Sequence, residues 1–297
     1  MPFFNGLLDK DRMEARWWPA PAKLNLFLHI TGRRADGYHE LQTAFQFLDH
    51  GDELRFQLRD DSRILRDNVI PGVDIEHDLN IRAARLLRDA CPAKASGVGI
   101  AIRKRIPMGG GLGGGSSNAA TTLLVLNRLW GCGLAIDALA GLGLRLGADV
   151  PVFVHGHAAW AEGVGERLSA IEPPEPWYLV VSPGCEVSTA EIFSTPDLTR
   201  DTSATTISCF LDGGVTDNDC LAVVRERYPR VREAMDWLSG YAYPRMTGTG
   251  ASLFAAFAQR RLAEACLARM PDRFSGFVAR GANTSLLHRR LKELAKD

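Results

Sequence analysis

The sequence lacks a surplus of charge of either sign. Its 297 residues carry 35 Lys and Arg against 35 Asp and Glu, so the formal net charge is zero. Such a balance supplies no broad electrostatic attraction to nucleic acid or to an anionic membrane surface. The sequence also lacks an apolar run long enough to cross a membrane. We therefore predict a protein that binds neither nucleic acid nor membrane.

Cysteine is scarce and scattered along the chain. No CxxC pair or ligand-like cluster occurs among the six cysteines, which are Cys91, Cys132, Cys185, Cys209, Cys220 and Cys266. This spacing argues against a disulfide framework or a zinc site and predicts reduced thiols. Residues 1–16 are too short and too charged for a signal-peptide pattern. We expect a cytoplasmic protein.

The length and the 46% of hydrophobic residues suffice for one large or two medium domains. Strand-like and helix-like periodicities alternate, which predicts a mixed α/β class, and the break at Glu172–Pro176 is the best linker candidate. The predicted strands are Lys23–Ile30, Leu41–Phe47, Asp52–Leu58, Val98–Ile106, Val152–Ala161 and Tyr178–Ser182. The predicted helices are Asn80–Ala90, Ser117–Leu129, Ile136–Leu146, Val223–Leu238 and Arg260–Arg269.

Glycine, by contrast, is concentrated in one short segment. Six of the seven residues in Gly109–Gly115 are glycine, and Ser116, Ser117 and Asn118 follow them. A predicted strand precedes this segment and a predicted helix follows it. A loop between a strand and a helix brings bare backbone N–H groups and a helix N-terminus to one point, where a phosphate can bind. Nucleotide binding is therefore the leading hypothesis.

Three familiar glycine-rich segments fit less well. A Walker loop requires a lysine after its last glycine, but Ser116 follows Gly115. A dinucleotide fingerprint requires an acid about 20 residues on, and Asp137 there introduces a helix-like run instead of ending a strand. The preceding strand also carries Arg103–Arg105, unlike a strand buried on both faces. A flexible linker lacks the flanking strand and helix.

A fourth pattern fits. Pro107–Ala120 resembles the phosphate loop of the GHMP small-molecule kinases, which include galactose, homoserine and mevalonate kinases. Pro21–Leu28 resembles the N-terminal motif of that family, and Met246–Phe254 resembles its C-terminal glycine motif. Three motifs in order are far more specific than one. Across Ala20–Asn283 the resemblance implies an α/β (α+β), two-domain GHMP kinase fold with the active site in the cleft between the domains.

Three further segments are similar to the branch of the family that phosphorylates a cytidylylated polyol. They are Ile30–His39, Gly147–Phe153 and Thr189–Phe193. The resemblance implies transfer of the ATP γ-phosphate to the 2-hydroxyl of that substrate, with Mg²⁺ accompanying ATP, in the synthesis of isoprenoid precursors. The implied domains are an extension over 1–16, an N-terminal ATP-binding domain over 17–172 and a C-terminal domain over 173–297.

The resemblance also implies roles for individual residues. Asp149 corresponds to the proposed base of the family. Lys23 is its expected partner, because a lysine on an otherwise apolar strand should not be buried unpaired. The implied ATP-binding residues are Asn80, Pro107, Gly109, Gly110, Gly111, Leu112, Gly113, Gly114, Gly115, Ser116, Ser117 and Asn118. The implied substrate-binding residues are Asn25, Tyr38, His39, Phe45, Thr189, Phe193, Gly248, Thr249 and Gly250. No confident protein ligand for Mg²⁺ emerges.

Simpler structural roles stay open for several of these residues. Asp149 could be a turn or cap residue, and Ser116, Ser117 and Asn80 could be helix N-caps. In the functional interpretation, Tyr38, Phe45 and Phe193 stack on the cytosine, and His39 reads its edge. Another GHMP kinase, of the homoserine or mevalonate type, and a catalytically idle nucleotide-binding relative are the alternative functions. The oligomeric state is unknown.

Overall fold

The computed structural model describes residues 6–294 of the chain. The strands are β1 (Trp18–Arg33), β2 (His39–Arg59), β3 (Ile64–Arg66), β4 (Gly97–Arg103), β5 (Ala159–Gly163), β6 (Arg167–Ala170), β7 (Trp177–Ser182), β8 (Arg245–Met246), β9 (Leu253–Phe257) and β10 (Ser275–Ala282). The helices are α1 (Gly6–Glu14), α2 (Leu79–Ala90), α3 (Gly114–Leu129), α4 (Ile136–Leu144), α5 (Val150–His155), α6 (Thr189–Ser194), α7 (Ile207–Leu211), α8 (Leu221–Arg227), α9 (Pro229–Ser239), α10 (Arg260–Leu267) and α11 (Leu286–Leu294).

Two long antiparallel strands, β1 and β2, organise the sheet. The order of the main strands is β3-β4-β2-β10-β7-β9-β8, with β1 and β5 also paired to β2, and β6 to β5. Strand β10 pairs with β2 through Gly281 and Ala282 and with β7 through Ser275–Arg280. The chain therefore returns at its end to join its two halves.

Buried apolar side chains of the described residues form three clusters. The first packs α2, α3, α5 and α11 against β2 and β4. The second lies between β7, β9 and the helices α8, α9 and α10. The third joins them through buried side chains such as Leu24, Phe27 and Phe254. The predicted mixed α/β content is confirmed, since helices cover a largely antiparallel sheet.

Several predicted segments differ from the structure in type or extent. Val152–Ala161 is not one strand: α5 occupies Val150–His155, and β5 begins only at Ala159. Pro151 sits in the first turn of α5 and Gly156 ends it with a φ of 73°, which are favourable positions for these residues. Leu41–Phe47 and Asp52–Leu58 are parts of the single strand β2.

The predicted helix Val223–Leu238 is divided by Pro229, which begins α9 directly after α8 has ended at Arg227. Proline lacks the N–H that a continuous helix would need there. Glu172–Pro176 lies between β6 and β7 without regular structure, as expected of a connecting segment. All six cysteines are free thiols. In residues 6–294, no helix is long and apolar enough to cross a membrane.

The two ends of the described chain pack on the first buried cluster. Met13 of α1 belongs to that cluster, and so do Leu287, Leu291 and Leu294 of α11. The backbone N–H of Leu58 donates to the Glu14 carboxylate at 3.1 Å. Part of the predicted extension and the end of the predicted C-terminal domain thus contact the N-terminal core. The boundaries at 16/17 and 172/173 stay predictions.

Candidate active site

The glycine loop connects β4 to α3 and depends on left-handed backbone. Gly109, Gly111 and Gly113 have φ values of 65°, 72° and 70°. Only glycine adopts such angles at little cost. Gly113 is the N-cap of α3, and no side chain caps that helix end. The loop thus leaves the N-terminus of α3 open to a ligand.

Three hydrogen bonds hold this loop to distant parts of the chain. Lys23 N donates to Leu112 O at 3.0 Å, Ser252 N to Gly110 O at 3.2 Å, and Thr247 Oγ1 to Gly111 O at 3.2 Å. A Cβ on Gly111 would lie 2.3 Å from Thr247 O. Close packing against the C-terminal glycine motif is therefore a second reason for glycine here, besides the predicted approach to phosphate.

A cavity of about 390 Å³, which we call the loop cavity, opens beside the loop. All the predicted ATP-binding residues line it except Ser117. Ser117 is fully buried in the first turn of α3, and its Oγ has no hydrogen-bond partner among the described residues. Asn118 Oδ1 is buried and unpartnered in the same sense. The start of α3 thus carries polar atoms that its own fold does not use.

Asn80 lines the cavity from inside α2 and is not a cap. The N-cap is Asp78, whose Oδ1 accepts from Asn80 N and from Asn80 Nδ2, both at 2.8 Å. Thr122 Oγ1 donates to Asn80 Oδ1 at 3.1 Å. Arg66 pairs with Asp78 at 2.9 Å, and both side chains are buried. The orientation of the Asn80 amide is therefore fixed by its neighbours.

Lys104 also lines this cavity, although the sequence analysis did not include it among the ATP-binding residues. It follows β4, lines the cavity and pairs with Asp52 at 2.5 Å. Asp52 is buried and also accepts from the backbone N–H groups of Arg105 and Ile106 at 2.7 and 2.9 Å. A Cβ on Gly114 would lie 3.4 Å from Lys104 Nζ, which puts this ammonium group beside the loop. The basic run before the glycines was the available signal.

Lys23 and Asp149 meet as predicted. Lys23 Nζ lies 3.1 Å from Asp149 Oδ2, and the lysine side chain is 3% exposed while the aspartate is 36% exposed. Asp149 precedes α5, but its side chain makes no capping hydrogen bond. Asp149 thus occupies a turn and the N-cap position of α5, as the simpler alternative expects, but its side chain does not act as a cap. Lys23 Nζ also donates to Asn25 Oδ1, since both side chains leave the same face of β1.

Asn25 is held by two threonines that the sequence did not single out. Asn25 Nδ2 donates to Thr43 Oγ1 at 3.0 Å, and Asn25 N donates to Thr247 Oγ1 at 2.9 Å. Thr43 lies on β2 opposite Leu28 of β1, and Thr247 lies within the C-terminal glycine motif, directly before Gly248. One polar network thus connects Lys23 with both halves of the chain.

A central cavity of about 310 Å³ contains this network. Lys23, Asn25 and Asp149 form part of its wall. Other predicted substrate-binding residues line it as well: Phe45, Thr189, Phe193, Gly248 and Thr249. The central cavity shares Gly111 and Ser116 with the cavity at the glycine loop. The paired lysine and aspartate therefore lie next to the loop.

A third cavity, of about 450 Å³, continues from the central one through Thr189 and Phe193. We call it the outer cavity. Tyr38 and His39 line it, and the His39 ring stacks on Phe193 with centroids 5.0 Å apart. Phe45 does not join them. It lies six residues after His39 on β2, or about 20 Å along an extended strand, and contacts Lys23 with Nζ 5.2 Å from its ring. Phe45 shares the central cavity with Phe193 but is absent from the cavity that Tyr38 lines, so the predicted aromatic trio does not line one cavity.

The C-terminal glycine motif forms a tight turn at the edge of the central cavity. Gly248 and Gly250 have φ values of 59° and 93°. Thr249 Oγ1 lies 2.8 Å from Thr189 Oγ1, and Asn218 Nδ2 donates to Gly248 O at 2.8 Å. Gly250 lines none of the three cavities, so its contribution is to the turn itself. Asn218, which carried no sequence signal, supports this turn.

The sequence relationships agree with this arrangement. Family models match two segments, GHMP kinases N terminal domain over residues 78–157 and GHMP kinases C terminal over 211–276. A relative from Nitrosococcus oceani, named 4-diphosphocytidyl-2-C-methyl-D-erythritol kinase, is 60% identical over 272 residues, or 91% of this chain and 96% of the relative. The chain belongs to the 4-diphosphocytidyl-2-C-methyl-D-erythritol kinase family of GHMP kinases.

Solved structures agree with the family assignment. A crystal structure of 4-(cytidine 5'-diphospho)-2C-methyl-D-erythritol kinase matches with a TM-score of 0.79 and 30% identity, covering 90% of this chain and 99% of the other. A mevalonate kinase matches with a TM-score of 0.67 and 15% identity, covering 91% and 100%. The second likeness concerns the fold alone. The expected GHMP kinase fold with N- and C-terminal domains is confirmed, and the protein is a kinase.

Proposed function

We propose that this kinase transfers the γ-phosphate of ATP to the 2-hydroxyl of 4-diphosphocytidyl-2-C-methyl-D-erythritol. The products are ADP and the 2-phosphate of that substrate, an intermediate of the non-mevalonate route to isoprenoid precursors. The observation that carries the proposal is the continuity of three cavities. The Lys23–Asp149 pair lines the middle one, which shares Ser116 with the loop cavity and Phe193 with the outer cavity.

ATP binds in the loop cavity in this proposal. The N–H groups of the loop and the open N-terminus of α3 suit the phosphates, because both carry partial positive charge. Lys104 adds a full positive charge at the same edge. Asn80 lines the same cavity from α2 in a fixed orientation, where it can receive the adenine. The γ-phosphate would then point toward Ser116 and the central cavity.

The substrate hydroxyl meets Asp149 in the central cavity. Asp149 accepts the hydroxyl proton, or orients the hydroxyl, as the oxygen attacks phosphorus. Lys23 steadies the carboxylate and neutralises charge that develops on the transferring group. Phosphoryl transfer requires positioning and electrostatic stabilisation more than covalent chemistry, so a fixed ion pair suits it. Asn25, held by Thr43 and Thr247, is placed to hydrogen-bond the polyol.

The diphosphate and cytidine extend outward from there. Thr189, Thr249 and the N–H groups around Gly248 can bind the diphosphate at the border of the second and third cavities. His39 and Phe193 receive the base beyond it. Tyr38, which is 65% exposed, lies at the rim of this cavity. Phe45 belongs near the polyol, beside Lys23, and not near the base. The substrate therefore spans two cavities and ATP a third.

Mg²⁺ accompanies ATP in this proposal. In the described part of the chain no three His, Cys, Asp or Glu side chains form a metal-binding cluster. Ser116 lines both the loop cavity and the central cavity, so its hydroxyl can make a single contact to the ion or to the phosphate beside it. Ser117 is fully buried and lines neither cavity. When bound, the ion would neutralise negative charge on the phosphates. Ser116 is therefore our proposed residue for holding it.

The two alternatives are less well supported. A homoserine or mevalonate kinase has no use for the outer cavity with His39 and Phe193, and the mevalonate kinase likeness is only 15% identical. An idle relative has no need for the paired Lys23 and Asp149 facing a cavity. Both alternatives also conflict with the 60% identity to the Nitrosococcus oceani kinase.

A coupled assay of ADP release tests the proposal. The purified protein is given ATP with the cytidylyl-methylerythritol substrate, with homoserine or with mevalonate. We expect turnover only with the cytidylyl substrate, and loss of that turnover in Asp149→Asn. Turnover with homoserine or mevalonate alone would favour another GHMP kinase. ATP binding without turnover on any of the three would favour the idle relative.

A further inference from the structure

Arg200 uses all of its hydrogen-bond donors at the edge of the outer cavity. Its Nε donates to His39 Nε2 at 3.0 Å. Its two terminal nitrogens donate to four backbone carbonyls, those of Phe193, Thr195, Pro196 and Leu198, at 2.5 to 3.1 Å. Arg200 therefore ties the segment after α6 to the first residue of β2. Sequence reasoning gave Arg200 no role.

This contact decides which nitrogen of His39 carries the proton. A guanidinium group only donates hydrogen bonds, so His39 Nε2 must accept with its lone pair. The ring is then neutral and its proton is on Nδ1. Burial lowers the pKa of His39, and the positive charges of Arg200 and Arg33 lower that pKa further. The charge environment thus agrees with the neutral ring that the hydrogen bond requires.

The other nitrogen is free for a ligand. Among the hydrogen bonds of residues 10–294, none involves His39 Nδ1, and His39 lines the outer cavity. An Nδ1–H group pairs with an acceptor. Cytosine presents the unprotonated N3 and the O2 carbonyl as acceptors, whereas uracil carries a donor, N3–H, at the corresponding position. A fixed donor therefore favours cytosine over uracil.

We propose that Arg200 is a positioning residue for pyrimidine specificity, because it fixes the His39 tautomer that accepts cytosine and rejects uracil. The inference rests on the proposed function, since it assumes that a cytidylyl group enters the outer cavity. Arg200 does not contact the base itself. It acts through His39, whose ring it holds against Phe193.

Arg200 also has a structural role that must be separated from this one. Its bonds to the carbonyls of Phe193 and Thr195 hold the end of α6, and their loss would disturb the Phe193 ring. Such disturbance weakens cytidine and uridine analogues alike, because stacking tolerates any base. A change in the cytidine-to-uridine ratio, by contrast, reports the donor and acceptor pattern at His39.

Two variants of Arg200 separate these roles. In Arg200→Lys the ammonium group only donates, so any bond to His39 Nε2 keeps the same tautomer. In Arg200→Gln the amide can donate or accept, which allows both tautomers. The measurements are kcat/KM for the cytidylyl substrate and its uridylyl analogue, and the protonation of both His39 nitrogens by ¹⁵N NMR of the ligand-free protein.

We expect His39 of the wild type to carry its proton on Nδ1. Arg200→Lys should lower kcat/KM for both substrates and leave the cytidylyl-to-uridylyl ratio of kcat/KM unchanged. Arg200→Gln should reduce that ratio about tenfold or more, since hydrogen bonds to a base edge carry such discrimination. The proposal would be overturned if His39 of the wild type carried its proton on Nε2. It would also be overturned if the cytidylyl-to-uridylyl ratio fell equally in both variants or fell in neither. If the proton of His39 is on Nδ1 but the wild type does not phosphorylate the cytidylyl substrate, the proposed function is wrong and not the assignment of Arg200. If the Gln variant does not fold, the wild-type NMR result still decides.

Discussion

Lys23 and Asp149 are in contact but differ in exposure. Their Nζ and Oδ2 atoms are 3.1 Å apart, yet the lysine side chain is 3% exposed and the aspartate 36%. A structural ion pair in a core would bury both partners. Here the lysine is buried behind the carboxylate, which faces the central cavity and is accessible to a substrate hydroxyl. This geometry gives the pair its proposed catalytic role.

Replacing Asp149 by asparagine should reduce kcat by about 10² to 10⁴, the range for loss of a general base. The amide keeps the size of the side chain but removes the negative charge and the proton acceptor. ATP binding should stay unchanged because Asp149 does not line the loop cavity. Steady-state kinetics and a separate measurement of ATP affinity check both expectations.

Asp137→Asn is the matched control. Asp137 is an exposed carboxylate in the first turn of α4, where it contacts no cavity described above. Its loss should leave kcat within twofold of the wild type, since surface substitutions of this kind are usually near neutral. Near wild-type turnover by a folded Asp149→Asn protein would remove Asp149 from the catalytic machinery.

Gly113→Ala should impair catalysis as well as ATP binding. A Cβ at Gly113 would lie 2.8 Å from the Phe153 ring and 3.1 Å from Lys23 Cε, and the φ of 70° would be strained. The family resemblance implies only an ATP-binding role for Gly113. Because the clash involves Lys23, we expect kcat to fall as well, by about tenfold to a hundredfold, as misplacement near 1 Å commonly causes.

Gly131→Ala separates backbone strain from this clash. Gly131 has nearly the same φ, 66°, but a Cβ there meets nothing within 4 Å. Gly131→Ala should lose about 1 to 2 kcal/mol of stability from the left-handed backbone, measured by urea unfolding, and Gly113→Ala should lose at least as much because its Cβ also clashes. Only Gly113→Ala should lose activity. Equal kinetic behaviour of the two variants would mean that Gly113 is remote from the chemistry.

The sequence predicted the fold well where one local signal decided the outcome. The helix after the glycine loop and the strand containing Lys23 occur as predicted. Val152–Ala161 failed because its apolar residues suit a buried helix and a buried strand equally. Pro151 directly precedes this segment and lies in the first turn of α5. The joining of the two halves by β10 depends on tertiary pairing that no local pattern contains.

The candidate site was predictable where a motif includes the residue and not where a residue acts through neighbours. Lys23, Asp149 and the loop glycines lie in motifs and line adjacent cavities. Thr43, Asn218 and Arg200 act by holding other residues, and their own sequence surroundings are ordinary. Phe45 was grouped with Tyr38 by resemblance, although strand geometry separates two residues that are seven positions apart.

Phe193→Ala and His39→Ala should differ in their effects on specificity. Loss of the Phe193 ring should weaken binding by roughly 1 to 3 kcal/mol, the range for aromatic–base stacking, for cytidylyl and uridylyl substrates alike. Loss of His39 should narrow the gap between those substrates, because hydrogen bonds to a base edge carry discrimination. The checks are kcat/KM for both substrates with both variants.

Tyr243→Ala is a suitable control for removal of an aromatic ring. Tyr243 is 68% exposed and lines none of the three cavities. Both substrates should react with it as with the wild type. An undiminished cytidine preference in His39→Ala would leave only the backbone of His39 as the reader of the base. Unchanged affinity in Phe193→Ala would place the base outside this cavity.

His288 should make the stability of the protein depend on pH in mildly acidic solution. Burial lowers its pKa from 6.5 to about 4, while Nε2 lies 2.9 Å from Val154 O and Nδ1 has no partner among the described residues. The folded state thus prefers the neutral ring. The unfolded chain takes up a proton near pH 6.5, so the contribution of His288 is fully present above that pH and is lost as the pH falls toward 4.

Comparison of wild type with His288→Gln isolates this contribution. The free energy of unfolding of the wild type should fall between pH 6.5 and 4 by roughly 1 to 3 kcal/mol more than that of the variant. Gln keeps a donor for Val154 O but has no titrating ring. His77→Gln is the control, because His77 is exposed and should leave the pH slope unchanged. Parallel stability curves for wild type and His288→Gln would show that His288 does not cause the pH dependence.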